Sequence, residues 1–301
     1  MAISKLKAVK PAEAKPGKAK VLIFGDAGVG KTYASLDFPA PYYFDIEGGA
    51  SQTQYTDKLK ASGGMYVGFE QGSQDFGEVL EQIKGLATEK HQFKTVIFDS
   101  ISKLYNLEIA RENERILTSG KKDEFGSSKK PAVKYMQRLV AWLQRMDMNC
   151  LIIAHGKPEW GKDEKTGERS EIGKTFDSWE KLSFELDLTL EIFKQGPNRL
   201  ARVRKTRLSG FKDGEVFPWS YAEFAKRYGE KEITDDTKII TLPTEEMLTS
   251  LYGLMHQKKT DEATVEKWLN AAKVSSFEEM DAEKVTKLIT HLTTIEGVKV
   301  A

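Results

Sequence analysis

The eight residues Gly25-Asp26-Ala27-Gly28-Val29-Gly30-Lys31-Thr32 match the pattern G-x-x-x-x-G-K-[ST] without a mismatch. Their setting constrains the fold further. The apolar run Val21-Leu22-Ile23-Phe24 ahead of them predicts a strand buried on both faces, and residues 31–36 open a helix that must stop before Pro39. Gly25, Gly28 and Gly30 allow backbone angles that other residues resist, so successive N–H groups can turn inward around a β-phosphate. Lys31 brings a charge to the β- and γ-phosphates and Thr32 a hydroxyl to Mg²⁺, while the positive end of the following helix favours the same anion. With Tyr33 next in line, residues 25–33 form the candidate nucleotide-binding set.

Short apolar strands alternate with amphipathic helices from Lys20 onward, and no period of 20–50 residues repeats. Strands are predicted at 42–45, 65–69, 95–99 and 150–154. A helix over 73–86 repeats Phe76, Val79, Leu80 and Ile83 on one face, and helices over 101–117 and 132–146 flank the polar segment 118–131. Residues 186–193 and 200–207 bracket the turn Gln195-Gly196-Pro197-Asn198 and read as an antiparallel hairpin. The fold class is α/β: a mostly parallel sheet with helices on both faces, an antiparallel hairpin and a small C-terminal all-α module. That module holds three helices capped by Thr244, Asp261 and Asp281. The expected organisation is a basic arm over 1–18, a nucleotide-binding domain over 19–228, a charged linker over 229–243 and the helical module over 244–301.

Composition excludes several classes. Of 301 residues, 40% are hydrophobic and 30% charged, an ordinary globular balance. No stretch approaches the roughly 18 apolar residues of a spanning helix, and the first twenty residues lack a secretory apolar core, which predicts an intracellular, cytoplasmic protein without membrane contact. Cys150 is the single cysteine, so no disulfide framework or cysteine zinc site is possible, and its apolar neighbours mark it as a core residue. Lys and Arg total 46 against 45 acids, so bulk charge is silent on nucleic acid. The first twenty residues nevertheless carry six lysines against Glu13, with Pro11 and Pro16 opposing regular structure; they read either as a solvated tail or as an arm that touches phosphates. Residues 244–301 carry seven lysines and ten acids, which suits docking to protein rather than phosphate.

Asp99, closing the buried run Thr95-Val96-Ile97-Phe98, is expected to supply the carboxylate that holds Mg²⁺ through water, a simple strand cap being the other reading. Parallel sheets gather ligands at the carboxyl ends of their strands, where Lys31, Asp45, Glu47, Asp99 and His155 all fall. Glu47 can orient a water in line with the γ-phosphate, with Asp45 as its competitor. His155 is either a donor to the γ-phosphate or a structural histidine. Ser100 reads both as a local hydrogen-bonding group and as one that reaches the phosphate end. Lys205 and Arg207, two apart on a strand, project from one face, as two cations aimed at one phosphate must; a solvated or DNA-facing basic ribbon is the other reading.

Together the cradle, Tyr42-Tyr43-Phe44-Asp45-Ile46-Glu47-Gly48-Gly49, Val96-Ile97-Phe98-Asp99-Ser100, Leu151-Ile152-Ile153-Ala154-His155 and Lys205-Thr206-Arg207 resemble the RecA-like ATPase core. Within it they look like the short phage-encoded recombination ATPases often labelled phage nucleotide-binding proteins. The resemblance spans residues 19–228. It implies ATP and Mg²⁺ as cofactors, Glu47 as catalytic glutamate, His155 in the γ-phosphate sensor position, and Lys205 and Arg207 as fingers inserted into a neighbouring copy's site. It also implies DNA-binding loops at 118–131, with Lys121, Lys122, Phe125, Lys129 and Lys130, and at 156–178, with Lys157 and Trp160; Trp160 and Phe176 read equally as packing residues. The function so implied is a self-assembling, single-stranded-DNA-binding ATPase promoting annealing or strand exchange, with the helical tail recruiting a single-strand-binding or other replication protein. An ATP-switched scaffold and a ring-forming helicase or loader are the alternatives.

Overall fold

Alternation along each strand splits the apolar residues between two faces, and both faces are covered. The computed structural model describes residues 17–124, 126–162, 167 and 169–294. The strands are β1 (Lys20–Gly25), β2 (Pro41–Asp45), β3 (Met65–Val67), β4 (Thr95–Asp99), β5 (Asn149–Lys162), β6 (Arg169–Phe176), β7 (Leu188–Gln195), β8 (Asn198–Thr206) and β9 (Val216–Pro218). They lie in the order β3-β2-β4-β5-β1-β7-β8-β9, with β6 paired to β5 alone. From β3 through β7 the neighbours run parallel, and β8 and β9 are antiparallel. The architecture is the α/β sandwich with an added hairpin that the sequence predicts.

Eight helices accompany the sheet: α1 (Lys31–Ser35), α2 (Thr53–Ser62), α3 (Phe76–Thr88), α4 (Ile101–Thr118), α5 (Lys129–Arg145), α6 (Leu182–Glu185), α7 (Tyr221–Tyr228) and α8 (Glu230–Thr234). Leu22, Phe24, Phe44, Phe98 and Ile152 face one core, closed by α3, α5 and the start of α4. Val21, Ile23, Ile97, Leu151 and Ile153 face the other, closed by α1, α2, α7 and α8. Full burial of such side chains contributes roughly 1.5–3 kcal/mol each, so the two-sided central strands are the best-anchored part of the chain. Cys150 is a buried residue of the first core.

Of two segments expected as loops, 119–124 and 126–128 join α4 to α5 without helix or strand, as expected, whereas much of 156–178 is paired strand. Helix α4 buries only Ile101, Ser102, Leu104 and Tyr105. The rest of it is exposed or half-buried and, with the start of α5, forms a helical arm that Ala132 and Met136 anchor in the first core. Asp123 organises the arm's tip, accepting from the Ser127 hydroxyl (2.8 Å), the Ser128 hydroxyl (2.7 Å) and the Ser128 N–H (3.0 Å). Lys129 and Lys130 therefore sit in the first helical turn, ahead of Pro131, rather than in a loop. The segment 156–178 is a β-ribbon: β5 overshoots the sheet and pairs with β6 from Gly156–Phe176 to Lys162–Arg169, with a bulge between Glu159 and Trp160. Its charges masked a period-two pattern in the sequence.

The charged stretch 229–243 also departs from expectation, because it is laid across the core. Ile233 is fully buried, its carbonyl accepts from Asn149 Nδ2 (2.9 Å), and Ile240 N–H donates to the Ala87 carbonyl (2.7 Å). Two isoleucines among many charges are enough to tie it down. Beyond it, α9 (Glu245–Gln257), α10 (Glu262–Ala272) and α11 (Ala282–Thr294) surround their own core of Leu251, Ala272, Phe277, Met280, Val285 and Leu292. Thr244 and Asp261 cap α9 and α10. Asp281 stands just before α11, its carbonyl accepting the N–H groups of Lys284 (2.9 Å) and Val285 (3.1 Å), while its carboxylate pairs with Lys284 (2.7 Å) and faces Arg145 of α5 (3.7 Å). The module rests on α5 through polar contacts, among them Arg138–Glu279 (3.1 Å) and Arg145 Nη2 to the Glu279 carbonyl (2.6 Å). Residues 1–16, which carry most of the basic arm, and Phe125 lie outside the described residues. Among the described residues no helix is long and apolar enough to cross a membrane.

Candidate active site

The carboxyl ends of β1, β2, β4 and β5 meet at one edge of the sheet, and the cradle hangs from the first of them. Gly25, at φ +152°, is obligatory: a Cβ there would lie 2.1 Å from the Ile192 carbonyl oxygen of β7. Asp26, Ala27 and Gly28 are exposed at the mouth, while Val29 is buried as the loop's anchor. The helix that follows spans only Lys31–Ser35, so the inward-turned backbone N–H groups, more than any macrodipole, suit the cradle to anions. Lys31 Nζ donates to the carbonyls of Gly25 (2.9 Å) and Asp26 (2.7 Å). Burial pulls this ammonium below the ordinary lysine range against the charges of Asp99, Glu47 and Asp26.

Thr32 Oγ1 donates to Asp99 Oδ2, and Tyr43 OH donates to the same oxygen from 3.2 Å. Burial, with the Glu47 charge adding to it, pushes the Asp99 carboxyl up to about 6, against the opposing hydrogen bonds of Thr32 and Tyr43 and the charge of Lys31. Tyr43 is pushed far upward by its own burial and by Asp99, so it stays a hydroxyl donor. A buried carboxylate beside a hydroxyl offers hard oxygen donors, and a divalent cation would remove the penalty that raises it. The pair fits Mg²⁺ delivered with phosphates.

Asp45 does not compete with Glu47. Its carboxylate accepts the N–H groups of Gly48, Gly49 and Ala50, each at 2.9 Å, and so shapes the turn that carries Glu47. That turn is also hooked to β4, since the N–H groups of Ile46 (2.8 Å) and Glu47 (3.2 Å) donate to the Asp99 carbonyl. Glu47 Oε1 accepts from the Ser100 hydroxyl (2.5 Å) and lies against His155 Nε2, which is 3.1 Å from Ser100 Oγ. Three strand ends thus deliver one Glu–Ser–His cluster, with Ser100 at its centre. Burial draws the Glu47 carboxyl upward, but the Ser100 hydrogen bond, His155 and the Lys103 charge outweigh it and keep it below the usual glutamate range. An ionised carboxylate at this position can accept a proton from water.

Other expected residues fall elsewhere. Lys205 pairs with Thr189, which lies beside Leu22, so Lys205 and Arg207 occupy the opposite edge of the sheet, roughly 10–15 Å of strand from the cradle. Lys205 Nζ donates to the Leu186 carbonyl and Arg207 Nη2 to the Phe184 carbonyl, a shared orientation toward α6. Burial and the neighbouring Arg207 pull the Lys205 ammonium down. Lys121, Lys122, Lys129 and Lys130 gather at the exposed tip of the helical arm. Lys157 pairs with Asp177 (3.4 Å) at the ribbon's root, Trp160 is 54% exposed with Arg169 over its ring, and Phe176 is buried against Phe24.

Three contacts to the cradle carried no signal in the sequence. Lys174 of β6 pairs with Asp26, the Trp219 indole N–H donates to the Gly30 carbonyl (3.2 Å), and Arg199 lies across Gly30. Each joins residues more than 140 positions apart, beyond the reach of any local pattern.

The RadB recombinase crystal structure aligns at 14% identity with a TM-score of 0.39, covering 69% of this chain and 89% of that one. The flagellar accessory protein FlaH from Methanocaldococcus jannaschii aligns at 14% identity and a TM-score of 0.35, covering 68% and 86%. No curated protein matches. Residues 17–213, more than half of the chain, match the model of the AAA domain family. That span takes in the cradle, Glu47, Asp99, His155 and both strands of the β7–β8 hairpin, and the chain belongs to the AAA domain family.

Proposed function

We propose that this chain is a Mg²⁺-ATP-dependent ATPase that assembles with copies of itself, binds single-stranded DNA and promotes annealing or strand exchange in phage-type homologous recombination. One observation carries the reading: Lys31, the Thr32–Asp99 pair and Glu47 converge at a single edge of the sheet. The cradle would take the β- and γ-phosphates, with Thr32 and Asp99 holding Mg²⁺, whose charge offsets that of the phosphate oxygens. Glu47, kept ionised by Ser100 and His155, orients the attacking water and accepts its proton. His155, touching both Glu47 and Ser100, registers the γ-phosphate.

Fingers on one edge and a cradle on the other cannot meet within a single chain, but head-to-tail stacking brings the Lys205 and Arg207 of one copy to the cradle of the next. The helical arm and the ribbon both rise from the cradle edge, so DNA gripped by the arm's lysines and by Trp160 would lie next to the nucleotide. One stacked base contributes about 1–3 kcal/mol without sequence preference, which suits coating a single strand. Such a protein works in the cytoplasm of a bacterial host, with the C-terminal helices free to recruit a single-strand-binding or other replication protein.

The test is turnover per chain over a range of protein concentrations, with and without single-stranded DNA. A rate that climbs with concentration and with DNA is expected. A rate indifferent to DNA favours an ATP-switched scaffold, and one flat through assembly removes the fingers from the site.

A further inference from the structure

We propose that Arg199 is a phosphate-binding residue of its own chain's cradle, reaching the nucleotide from the β7–β8 turn. The proposal rests on reading the cradle as a nucleotide site. Strand β7 runs on beyond the end of β1: its partner of Phe24 is Glu191, and residues Ile192 to Gln195 continue past the sheet before the turn. Gly196, at φ +59°, and Pro197 reverse the chain, so β8 begins above the cradle with Asn198 and Arg199. The Arg199 side chain crosses the loop so closely that a Cβ on Gly30 would lie 2.6 Å from its Cδ and 2.7 Å from its Nε. Gly30 is required by its backbone at φ +93°, and a side chain there would also have to displace this arginine.

Trp219 fixes the arrangement. Its N–H donates to the Arg199 carbonyl (2.9 Å) and its indole N–H to the Gly30 carbonyl (3.2 Å), so one buried ring ties the hairpin to the cradle. The guanidinium itself is uncommitted. Arg202 and Arg204 share Glu191 (3.3 and 2.9 Å), Arg204 also meets Glu159 (3.3 Å), and Arg207 holds the Phe184 carbonyl. Arg199 alone of these four has no ion pair or side-chain hydrogen bond among the described residues, and it is exposed. A planar cation with five donors, its backbone fixed beside a phosphate cradle and its guanidinium paired with nothing among the described residues, is matched to phosphate oxygens. Lys31 serves the loop as a point charge, and Arg199 adds a second, directional one from the hairpin side.

The full-length chain is titrated calorimetrically with ATP, ADP and adenosine in Mg²⁺ buffer as wild type, Arg199→Gln, Arg199→Lys and Lys31→Ala. Glutamine keeps much of the stem over Gly30 and removes the charge; lysine restores the charge. Arg199→Gln is expected to weaken ATP and ADP by about tenfold or more, with adenosine unchanged and lysine recovering part of the loss. Equal ATP affinity in wild type and Arg199→Gln, with binding lost in Lys31→Ala, overturns the proposal and leaves the cradle reading intact. A loss that is the same for adenosine, or that lysine fails to recover at all, also overturns it. Wild type that binds no ATP, or binds it as well after Lys31→Ala, overturns the cradle reading itself.

Discussion

The two edges of the sheet hold their cations alike and their anions differently. At the cradle edge Lys31 rests on the Gly25 and Asp26 carbonyls, and at the far edge Lys205 and Arg207 rest on those of Leu186 and Phe184. A carbonyl positions a cation without neutralising it, so Lys31 and Lys205 remain available to a phosphate, while Arg207 also faces the Asp187 carboxylate from 4.0 Å. Arg202 and Arg204, by contrast, are spent on the Glu191 carboxylate. The cradle edge adds Asp45, Asp99 and Glu47, each held by specific donors, while at the far edge Gln144 Nε2 donates to Glu185 (3.1 Å) and Asp187 faces Arg207 (4.0 Å). One edge therefore gathers the cradle and the carboxylates suited to binding and attack, and the other presents Lys205 and Arg207 beside Glu185 and Asp187.

The largest expected effect breaks this division directly. Arg207→Ala should lower turnover by about 10³–10⁵ with ATP affinity unchanged, and mixing it with Lys31→Ala should restore activity, since each variant keeps the edge the other lacks. Turnover of the mixture no higher than that of either variant alone would mean the edges do not cooperate. Next, Glu47→Gln should cost about 10²–10⁴ in single-turnover phosphate release while ATP still binds. A loss below tenfold would move the water-orienting role elsewhere.

The smallest effect sharpens the contrast through stability. Asp99 in the folded chain holds its proton up to about 6 against an ordinary 3.8. Between those values the folded form binds the extra proton, so stability falls as pH rises through the window and stays lowered above it. The full penalty is about 3 kcal/mol. Asp99→Asn, unfolded by urea in metal-free buffer at pH 8, should gain roughly 1–3 kcal/mol, the gain shrinking toward pH 4, and should lose hydrolysis. A variant less stable than wild type at pH 8 would show that the carboxylate is a stabilising partner of Thr32 and Tyr43.

The cradle was legible because its demands are local: glycines where φ is positive, a lysine and a hydroxyl at fixed spacing. Glu47, Asp99 and His155 were legible as strand ends, since parallel strands in one sheet must deliver them to a common edge. That Ser100 would join Glu47 to His155, and that Asp45 would be absorbed by three backbone N–H groups, depended on how the turns close. Arg199, Trp219 and Lys174 were illegible, because only the folded hairpin and ribbon bring them to the loop. The ribbon and the 229–243 segment were misread for one reason: dense charge hid the few apolar residues, Trp160, Ile172, Ile233 and Ile240, that belong to ordered structure.

Strand β5 runs unbroken from Asn149 inside the sheet, through His155, to Lys162 near the ribbon's tip. Seven residues at about 3.3 Å each separate Lys162 by roughly 23 Å from the point where His155 touches Glu47. Were the strand to turn by about 5° there as one body, its far end would move by about 2 Å.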